Sequence, residues 1–507
     1  MDYPENPHFE PLAVRKKSPL DWKESWALNP ALVEDNGVFY AFSSDTSATR
    51  GGQIRSSSDL VHWTYAGSPF SLEKKAYAKN RNTERYGNLY ESYLWCRTFK
   101  DETDRPIYVK ESGDISLQTL HCIKGKDKRF WLYYSMTGYE GGSKSCIGLA
   151  KADAVTGPYT AVGLIVCSKE GWRSPNAVDP YVFEGGDGLY LVYGKDGMGL
   201  YLLPLDRETG LRADGLTRAD FDERKCSFKA YFGNNVARGS VRGASILYHE
   251  GVAVSDEQGN ERKGSVYTLL CNCAEGQIRV ANSQMPEGPY LDSTGNEISV
   301  SSVGTGEILL ESHRWKKKGF DVTGIGRAAL FRTSGGVGVV AYHAATHAFQ
   351  KPWPFSLLER KKPLPFFLFV NRFFFDRRGN LLFHCNRFGG ESLSPVSKEE
   401  FLGISSGGYL SLRMRRDCKR AEGEKLVFTA KGQVQGVEKG FWRYEKELIL
   451  TFEGEVFRGP LFPFWSIEAN QAGISGSLVG ERTGEVLYLN SLLAPQKKHS
   501  AEKNRSN

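Results

Sequence analysis

AVDPYVFEGGDGLYLVYG, residues 177–194, contains two short apolar and aromatic runs on either side of a glycine-rich turn. The first run is residues 177–184, the turn is residues 185–188, and the second run follows at once. β-Branched and aromatic residues bounded by Gly and Asp are typical of antiparallel strands joined by a tight turn. We therefore interpret this stretch as a hairpin of an antiparallel sheet.

The same design, a turn followed by an aromatic-rich or apolar strand, occurs four more times. The other strands are VFYAFSSD (38–45), RFWLYYSMT (129–137), SVYTLLCNC (265–273) and VGVVAYHA (337–344). A sheet-sized unit that repeats in series and cannot bury its faces alone is typical of a propeller. The sequence therefore predicts an all-β protein whose main part is a five-bladed β-propeller.

A shorter predicted strand precedes each of these turns, and in a propeller the first strand of each blade lines the central axis. These strands cover residues 28–34, 116–123, 177–184, 241–248 and 325–332. Their opening residues should then meet at one mouth of the central channel. We expect this shared pocket to contain Asn29, Gln118, Asp179, Arg242 and Arg327.

The spacing of the predicted strands changes after residue 391. LSLRMRR, KLVFTAKG, LILTFEGEVF and GEVLYLN predict a small antiparallel β-barrel or sandwich. We place the propeller at residues 20–392, the C-terminal β-barrel domain at 393–492 and a basic disordered tail at 493–507.

Composition limits the possible partners. The 507 residues carry a formal net charge of +7 that is spread along the chain. So small and dispersed an excess does not indicate nucleic acid as a partner. The most apolar segment, residues 366–375, is too short to span a bilayer, so we expect no membrane partner. Residues 1–5 lack a signal-peptide pattern, which favours a cytoplasmic location.

Several phrases resemble family 43 glycoside hydrolases, particularly endo-arabinanases that carry a C-terminal β-barrel. Residues 177–194 resemble the Asp-Pro strand and aromatic hairpin of that family. The other phrases that carry the resemblance are SSDLVHW (57–63), IGLAKADAVTGPY (147–159), IRVANSQMPEGPY (278–290), NRFGGE (386–391) and TFEGEVFRG (451–459). The resemblance implies hydrolysis of arabinose- or xylose-containing oligosaccharides with inversion, by a general base on the first blade and a general acid on the fourth.

The sequence departs from the family where this chemistry is placed. The resemblance also implies an aspartate on the third blade that tunes the general acid and holds the sugar, and this aspartate is retained as Asp179. The base position, however, reads Asn29, and the general-acid position reads Arg242. An amide cannot take up a proton at neutral pH, and an arginine cannot release one. On the fifth blade Arg327 replaces the histidine that the resemblance implies near a central metal, so we expect no metal and no other cofactor.

Two interpretations stay open at this point. One is a hydrolase with a degenerate acid/base pair, for which Glu24 or Glu91 could supply a substitute carboxylate. The other is an inactive relative that binds carbohydrate, and a mouth rich in arginine favours an anionic sugar. Trp26 and Trp95 are candidates for stacking on sugar rings, together with binding roles for Arg327 and Gln118. His343 is expected to be a buried, hydrogen-bonded histidine.

Overall fold

A computed structural model of the chain describes most of the residues between Ala27 and Leu492. The described ranges are 27–44, 51–70, 89–100, 106–108, 116–138, 144–168, 174–255, 261–273, 276–298, 306–316, 321–346, 366–376, 378–391, 394–404, 408–415, 421–436, 439–452, 454–466 and 471–492. The predicted tail at 493–507 lies outside them, as do Glu24 and Trp26.

Five four-stranded antiparallel sheets follow one another along the chain as blades I to V. Blade I consists of β1 (Ala31–Asp35), β2 (Val38–Ser43), β3 (Gln53–Ser57) and β4 (Thr64–Gly67). Helix α1 (Tyr90–Arg97) and the pair β5 (Thr98–Lys100) and β6 (Pro106–Tyr108) come next. Blade II consists of β7 (Ser116–Lys124), β8 (Phe130–Thr137), β9 (Ser145–Ala152) and β10 (Thr160–Cys167).

The remaining blades have the same meander. Blade III consists of β11 (Tyr181–Glu184), β12 (Leu189–Tyr193), β13 (Leu200–Leu205) and β14 (Asn234–Ala237), with α2 (Arg218–Asp222) and α3 (Phe228–Phe232) before its last strand. Blade IV consists of β15 (Val241–Ser255), β16 (Glu261–Cys273), β17 (Gln277–Ser283) and β18 (Glu307–Leu310), and β19 (His313–Arg314) follows it. Blade V consists of β20 (Thr323–Arg332), β21 (Gly338–Ala345), β22 (Phe366–Phe375) and β23 (Leu381–Phe383).

The first strands of the five blades form a closed ring around the axis. Strand β1 contacts β7 and β20, β11 contacts β7 and β15, and β15 contacts β20. Each of these strands pairs with the second strand of its own blade in an antiparallel register. The five-bladed propeller predicted from the repeats is therefore confirmed, with the predicted strands on its axis.

The C-terminal sheet closes into a barrel. Helix α4 (Lys398–Ile404) precedes the strands of this part of the chain, which are β24 (Tyr409–Met414), β25 (Ala421–Glu422), β26 (Glu424–Phe428), β27 (Gln433–Gly436), β28 (Gly440–Tyr444), β29 (Leu448–Phe452), β30 (Glu455–Gly459), β31 (Leu461–Ser466), β32 (Gln471–Gly480) and β33 (Val486–Leu492). All of them except β25 belong to the C-terminal sheet. Strand β30 pairs with both β29 and β32, which closes a ring of eight strands. The sheet is a barrel and not a sandwich.

The barrel packs against blades IV and V. One apolar cluster joins Leu270 of blade IV, Phe369 of blade V and Leu412 of the barrel. The hydroxyl of Tyr488 donates to the carbonyl of Leu309 at 2.7 Å, and β19 pairs with β25, a two-residue strand that follows β24 outside the barrel sheet. The domain boundaries at residues 392 and 492 stay predictions.

Two local features differ from the sequence interpretation. LILTFEGEVF, read as one run, is two strands, β29 and β30, because Gly454 adopts a φ of 81° at the turn between them. The sequence pattern also did not predict the four short helices of the described residues. None of the helices in the described ranges is long and apolar enough to cross a bilayer.

A buried carboxyl group lies in the segment between blade V and the barrel. Glu391 is 3% exposed, and burial raises the pKa of its side chain to about 7. Its Oε2 accepts the backbone N–H of Gly389 at 2.6 Å, and its backbone carbonyl accepts Nη1 of Arg372. The buried ring of His384 is its other titratable neighbour. This carboxyl should therefore make the stability of the fold depend on pH.

We expect the Glu391→Gln variant to be more stable than the wild type at pH 8 and about equally stable at pH 5. The folded state binds the Glu391 proton more tightly than the unfolded state, whose pKa is near the ordinary value of 4.5. This stabilisation is complete below pH 4.5 and is lost as the pH rises through 7, at a cost of at most about 3 kcal/mol. Glutamine keeps an acceptor for Gly389 and does not titrate.

Urea unfolding of both proteins between pH 5 and pH 8 measures this difference. The neutral His384 contributes a pH dependence of opposite sign below pH 6.5, because burial lowers its pKa to about 4. That contribution is present in both proteins and cancels in the comparison. A constant difference in the free energy of unfolding over this range would contradict the prediction.

Candidate functional site

All five predicted opening residues line one cavity at the mouth of the propeller axis. The cavity has a volume of about 430 Å³ and is lined by Leu28, Asn29, Gln118, Val178, Asp179, Lys195, Arg242, Gly243, Gly276, Gly324, Ile325, Gly326, Arg327, His343 and Phe366. The repeat positions thus predicted the meeting of these side chains correctly. The lining also shows that every blade contributes to the site.

The backbone bends sharply where the inner strands open. Asn29, Asp179 and Arg327 have φ angles of 51°, 55° and 26°, and Gly243 has the corresponding position in blade IV with a φ of 59°. Residues other than glycine rarely adopt positive φ, and such strained positions cluster at functional sites. These four positions, in blades I, III, IV and V, all line the cavity, so part of the positive-φ backbone of the chain lies at the pocket.

Asn29 is held in one orientation by its neighbours. Its Nδ2 donates to the backbone carbonyl of Gln118 at 2.9 Å and to Oγ of Ser44 at 3.2 Å. Because a carbonyl oxygen only accepts, the amide nitrogen and not the amide oxygen has to face Gln118. The hydroxyl of Ser44 donates to the same carbonyl. The surroundings of Asn29 are therefore complementary to an amide and unfavourable for a carboxylate.

Asp179 is the acidic group of the cavity. It is 9% exposed, and its Oδ1 accepts the hydroxyl of Thr119 at 2.6 Å. A carboxylate can accept hydrogen bonds at both oxygens, so Asp179 can also hold a sugar hydroxyl. Among the described residues that line the cavity, Asp179 is the one carboxylate.

Cations outnumber that carboxylate. Lys195, Arg242 and Arg327 line the same cavity, and the backbones of Lys195 and Arg242 form an antiparallel bridge. Lys195 follows the second strand of blade III, whereas Arg242 opens the first strand of blade IV. The described lining therefore carries an excess of positive charge.

His343 connects the blade V hairpin with Asn29. The ring is 8% exposed, and its Nδ1 accepts the backbone N–H of Asn29 at 3.0 Å, which places the ring proton on Nε2. Burial, together with the charges of Arg327 and Arg242, lowers the pKa of His343 to about 3. His343 is therefore buried and hydrogen-bonded as expected, and it is a neutral group that also lines the cavity.

Two other predicted residues, Trp95 and Glu91, lie away from the cavity. Trp95 is absent from the cavity lining: its Nε1 donates to the carbonyl of Ser145, and its ring lies near the side chains of Lys144 and Arg218. Glu91 is exposed in the first turn of α1. Trp26 and Glu24 lie outside the described residues.

Sequence reasoning missed three contributors to the site, Lys195, Phe366 and Thr119. Lys195 follows LVYG directly, so its place at the end of a second strand was a usable signal. Phe366 opens β22, and its ring centroid lies 4.8 Å from that of His343. Thr119 follows the opening position Gln118 and reaches Asp179 because the pairing of β7 with β8 is irregular between Leu117 and Thr119.

The arrangement can bind polar ligands but lacks a paired acid and base in its described part. Inverting hydrolysis needs two carboxyl groups separated by about 6.5–9.5 Å. The described lining offers Asp179 alone. Arginine and lysine beside one carboxylate suit instead a ligand with hydroxyl groups and an anionic group.

The chain is similar in sequence to known glycoside hydrolases. The profile of the glycosyl hydrolases family 43 matches residues 120–360. An extracellular endo-α-(1→5)-L-arabinanase of Thermotoga petrophila is 24% identical over 484 residues, which cover 87% of this chain and 88% of that protein. The extracellular endo-α-(1→5)-L-arabinanase 2 of Bacillus subtilis is 24% identical over 480 residues, or 90% of each chain.

Solved structures agree with the fold. A family 43 glycoside hydrolase from Bacillus licheniformis has a TM-score of 0.70 and 20% identity, and the match covers 92% of this chain and 98% of that one. The endo-1,5-α-L-arabinanase of T. petrophila in complex with Tris has a TM-score of 0.69 and 21% identity, with coverage of 92% and 99%. Each match covers both the propeller and the barrel of this chain, so these solved structures share the two-domain fold.

The comparisons contradict the expected cytoplasmic location. The relatives from T. petrophila and B. subtilis, and an exo-α-(1→5)-L-arabinofuranosidase of Cellvibrio japonicus, are named extracellular proteins. These names point to secretion. The prediction was wrong because it relied on residues 1–5 alone, a shorter stretch than a signal peptide occupies.

Proposed function

Because the chain is a family 43-like protein of the arabinanase type, we propose that its propeller funnel binds an arabinose- or xylose-containing oligosaccharide that carries an acidic group. We further propose that Asn29 and Arg242 do not perform the two-carboxylate hydrolysis of the family. One observation carries both statements. Lys195, Arg242 and Arg327 share the described cavity lining with one carboxylate, Asp179.

The carbohydrate part of the proposal rests on the relatives and on Asp179. Relatives whose alignments cover 87% and 90% of this protein are named arabinanases. Arabinan is a polysaccharide of arabinose. Asp179 can accept hydrogen bonds from sugar hydroxyls, while Thr119 fixes the position of its carboxylate. Phe366 adds an apolar ring beside these polar groups, as sugar-binding sites commonly combine both.

The acidic group of the ligand follows from charge. A guanidinium group binds a carboxylate through two parallel hydrogen bonds, and Lys195 adds a second cation beside Arg242. A uronate branch on a xylose- or arabinose-containing chain carries such a carboxylate. We assign this group of the ligand to the side of the cavity that Lys195 and Arg242 form.

The absence of conventional hydrolysis follows from the residues at the base and acid positions, Asn29 and Arg242. Asn29 donates its amide hydrogens to Gln118 and Ser44 and has no basic atom for a water molecule. An arginine side chain does not give up a proton to a leaving group, so the residue at position 242 is unsuited to the role of general acid. General acid–base catalysis typically contributes about 10²–10⁴ in rate, and this contribution would be lost.

Calorimetric titration tests the proposal with a matched pair of ligands. The pair is a neutral xylo-oligosaccharide and the same chain with one glucuronate branch. We expect the acidic ligand to bind about 10-fold or more tightly at low salt, and the difference to shrink as the ionic strength rises. Equal affinities, or tighter binding of the neutral ligand, would contradict the acidic part of the proposal.

Hydrolysis is the second candidate, favoured by the similarity to arabinanases over nearly the whole chain. It would require carboxylates other than Asp179. Glu24, outside the described residues, and Glu91, exposed on α1, are the candidates from the sequence. Release of reducing sugar from arabino-oligosaccharides would identify this function.

A further inference from the structure

Arg327 lies at the point where all five blades meet. It belongs to blade V, and its Nη1 donates to the carbonyls of Asn29 in the blade I opening and of Leu120 in blade II, at 3.2 and 3.3 Å. Its Nη2 donates to the carbonyl of Pro180 in the blade III opening at 2.6 Å. Blade IV approaches Arg327 at Gly243, where a Cβ atom would lie 3.1 Å from Cα of Arg327.

The guanidinium group stays charged in this position. Arg327 is 3% exposed, and burial lowers its pKa to about 10, while Asp179 and Tyr181 act in the opposite direction. The group is therefore protonated at neutral pH. Backbone carbonyl oxygens are also ligands of metal ions such as Ca²⁺. The guanidinium group of Arg327 therefore lies in surroundings that could otherwise suit a metal ion on the axis.

The residues around the axis do not fit a divalent metal. The carbonyls of Asn29, Leu120 and Pro180 already accept from Arg327. The Nδ1 atoms of His343 and His121 accept the backbone N–H groups of Asn29 and Val182, so their Nε2 atoms carry protons and offer no lone pair. Within the described ranges, His, Cys, Asp and Glu form no group of three that could hold a metal ion.

We propose that Arg327 is the built-in cation of the propeller axis, which joins the blades and fixes the openings at Asn29 and Asp179 without a bound metal. Arg327 is a positioning residue in this account. It reaches the pocket through the backbone, because the carbonyls it binds belong to Asn29 and to Pro180, the residue after Asp179. Both openings are strained by positive φ angles, and these hydrogen bonds hold them in place.

Thermal unfolding with and without metal tests the proposal on the wild-type protein first. We expect the same Tm in excess EDTA and in millimolar Ca²⁺, Mg²⁺ or Zn²⁺, and substoichiometric metal in the purified protein by elemental analysis. A protein that binds metal in its native state would gain stability as the metal concentration rises. A clear rise of the Tm with one of these ions, or its loss in EDTA, would overturn the proposal even if every variant failed to fold.

Two variants then locate the effect. Arg327→Met removes the hydrogen bonds to three blades, and we expect it to lower the Tm by about 5 °C or more and not to be rescued by Ca²⁺. Arg332→Met is the matched control, because Arg332 ends the same strand and is exposed. Its Tm should equal that of the wild type. An unchanged Tm for Arg327→Met would overturn the structural role.

The ligand measurements separate this inference from the proposed function. If Arg327 replaces a metal, oligosaccharide binding by the wild type should be the same in EDTA and in Ca²⁺. Failure of every oligosaccharide to bind would leave the Tm results valid and would overturn only the proposed ligand. Binding that requires a divalent ion would overturn the role of Arg327.

Discussion

Replacing Arg242 by glutamate is expected to weaken binding of the glucuronate-bearing xylo-oligosaccharide by about 100-fold. A hydrogen bond to a charged group contributes about 1.5–3 kcal/mol, and the new carboxylate would repel the ligand instead of attracting it. The change also leaves Lys195 as the nearby cation on that side of the cavity. The neutral xylo-oligosaccharide should lose much less affinity, because its contacts are placed near Asp179.

Titration calorimetry with both ligands measures the two losses. Arg332→Glu is the matched control, since Arg332 is exposed and lines the opening at the opposite end of the axis. The control makes the same change in net charge, so it removes the general effect of charge from the comparison. Equal losses for the two ligands, or equal losses in the two variants, would contradict the assignment of Arg242.

Replacing Asn29 by aspartate is expected to lower the free energy of unfolding by about 2 kcal/mol at pH 7. The variant places a carboxylate oxygen against the carbonyl of Gln118, where the wild type has a hydrogen bond of 2.9 Å. A protonated aspartate could donate in that position. The folded variant should therefore bind a proton more tightly than the unfolded chain, so the loss should become smaller as the pH falls through the acidic range.

Urea unfolding at pH 7 and pH 5 measures this effect. Asn36→Asp is the matched control, because Asn36 also has a positive φ of 50° but lies exposed in the β1–β2 turn. We expect the control to cost much less. A variant at position 29 that is as stable as the wild type at pH 7 would mean that the site accepts a carboxylate, and it would weaken the argument that it is built for an amide.

The repeat pattern predicted most of the fold for a physical reason. Each blade buries its sheet against its neighbours, so the turn and the aromatic strand recur wherever a blade occurs. VFYAFSSD and LYLVYG therefore predicted β2 and β12 closely. The barrel was harder to predict, because the turn between β29 and β30 is marked in LILTFEGEVF only by Glu453 and Gly454.

The candidate site was predicted in part. Asn29, Asp179 and Arg327 occupy repeat positions, and a repeat position fixes where a residue lies around the axis. The hydrogen bonds of Arg327 to three blades could not be read from the sequence, because they involve backbone carbonyls, which every residue carries. Lys195 and Phe366 approach from other strands of their blades, so their distance from the axis depended on packing.

Assays of reducing sugar and of binding, with arabino-oligosaccharides, xylo-oligosaccharides and the glucuronate-bearing xylo-oligosaccharide, distinguish a binding funnel from a hydrolytic one. Asp179→Ala is run alongside. We expect the wild type to bind the glucuronate-bearing ligand and to release no reducing sugar above the level of the variant. Turnover by the wild type that disappears in Asp179→Ala would contradict this expectation, since the funnel would then contain a working acid and base.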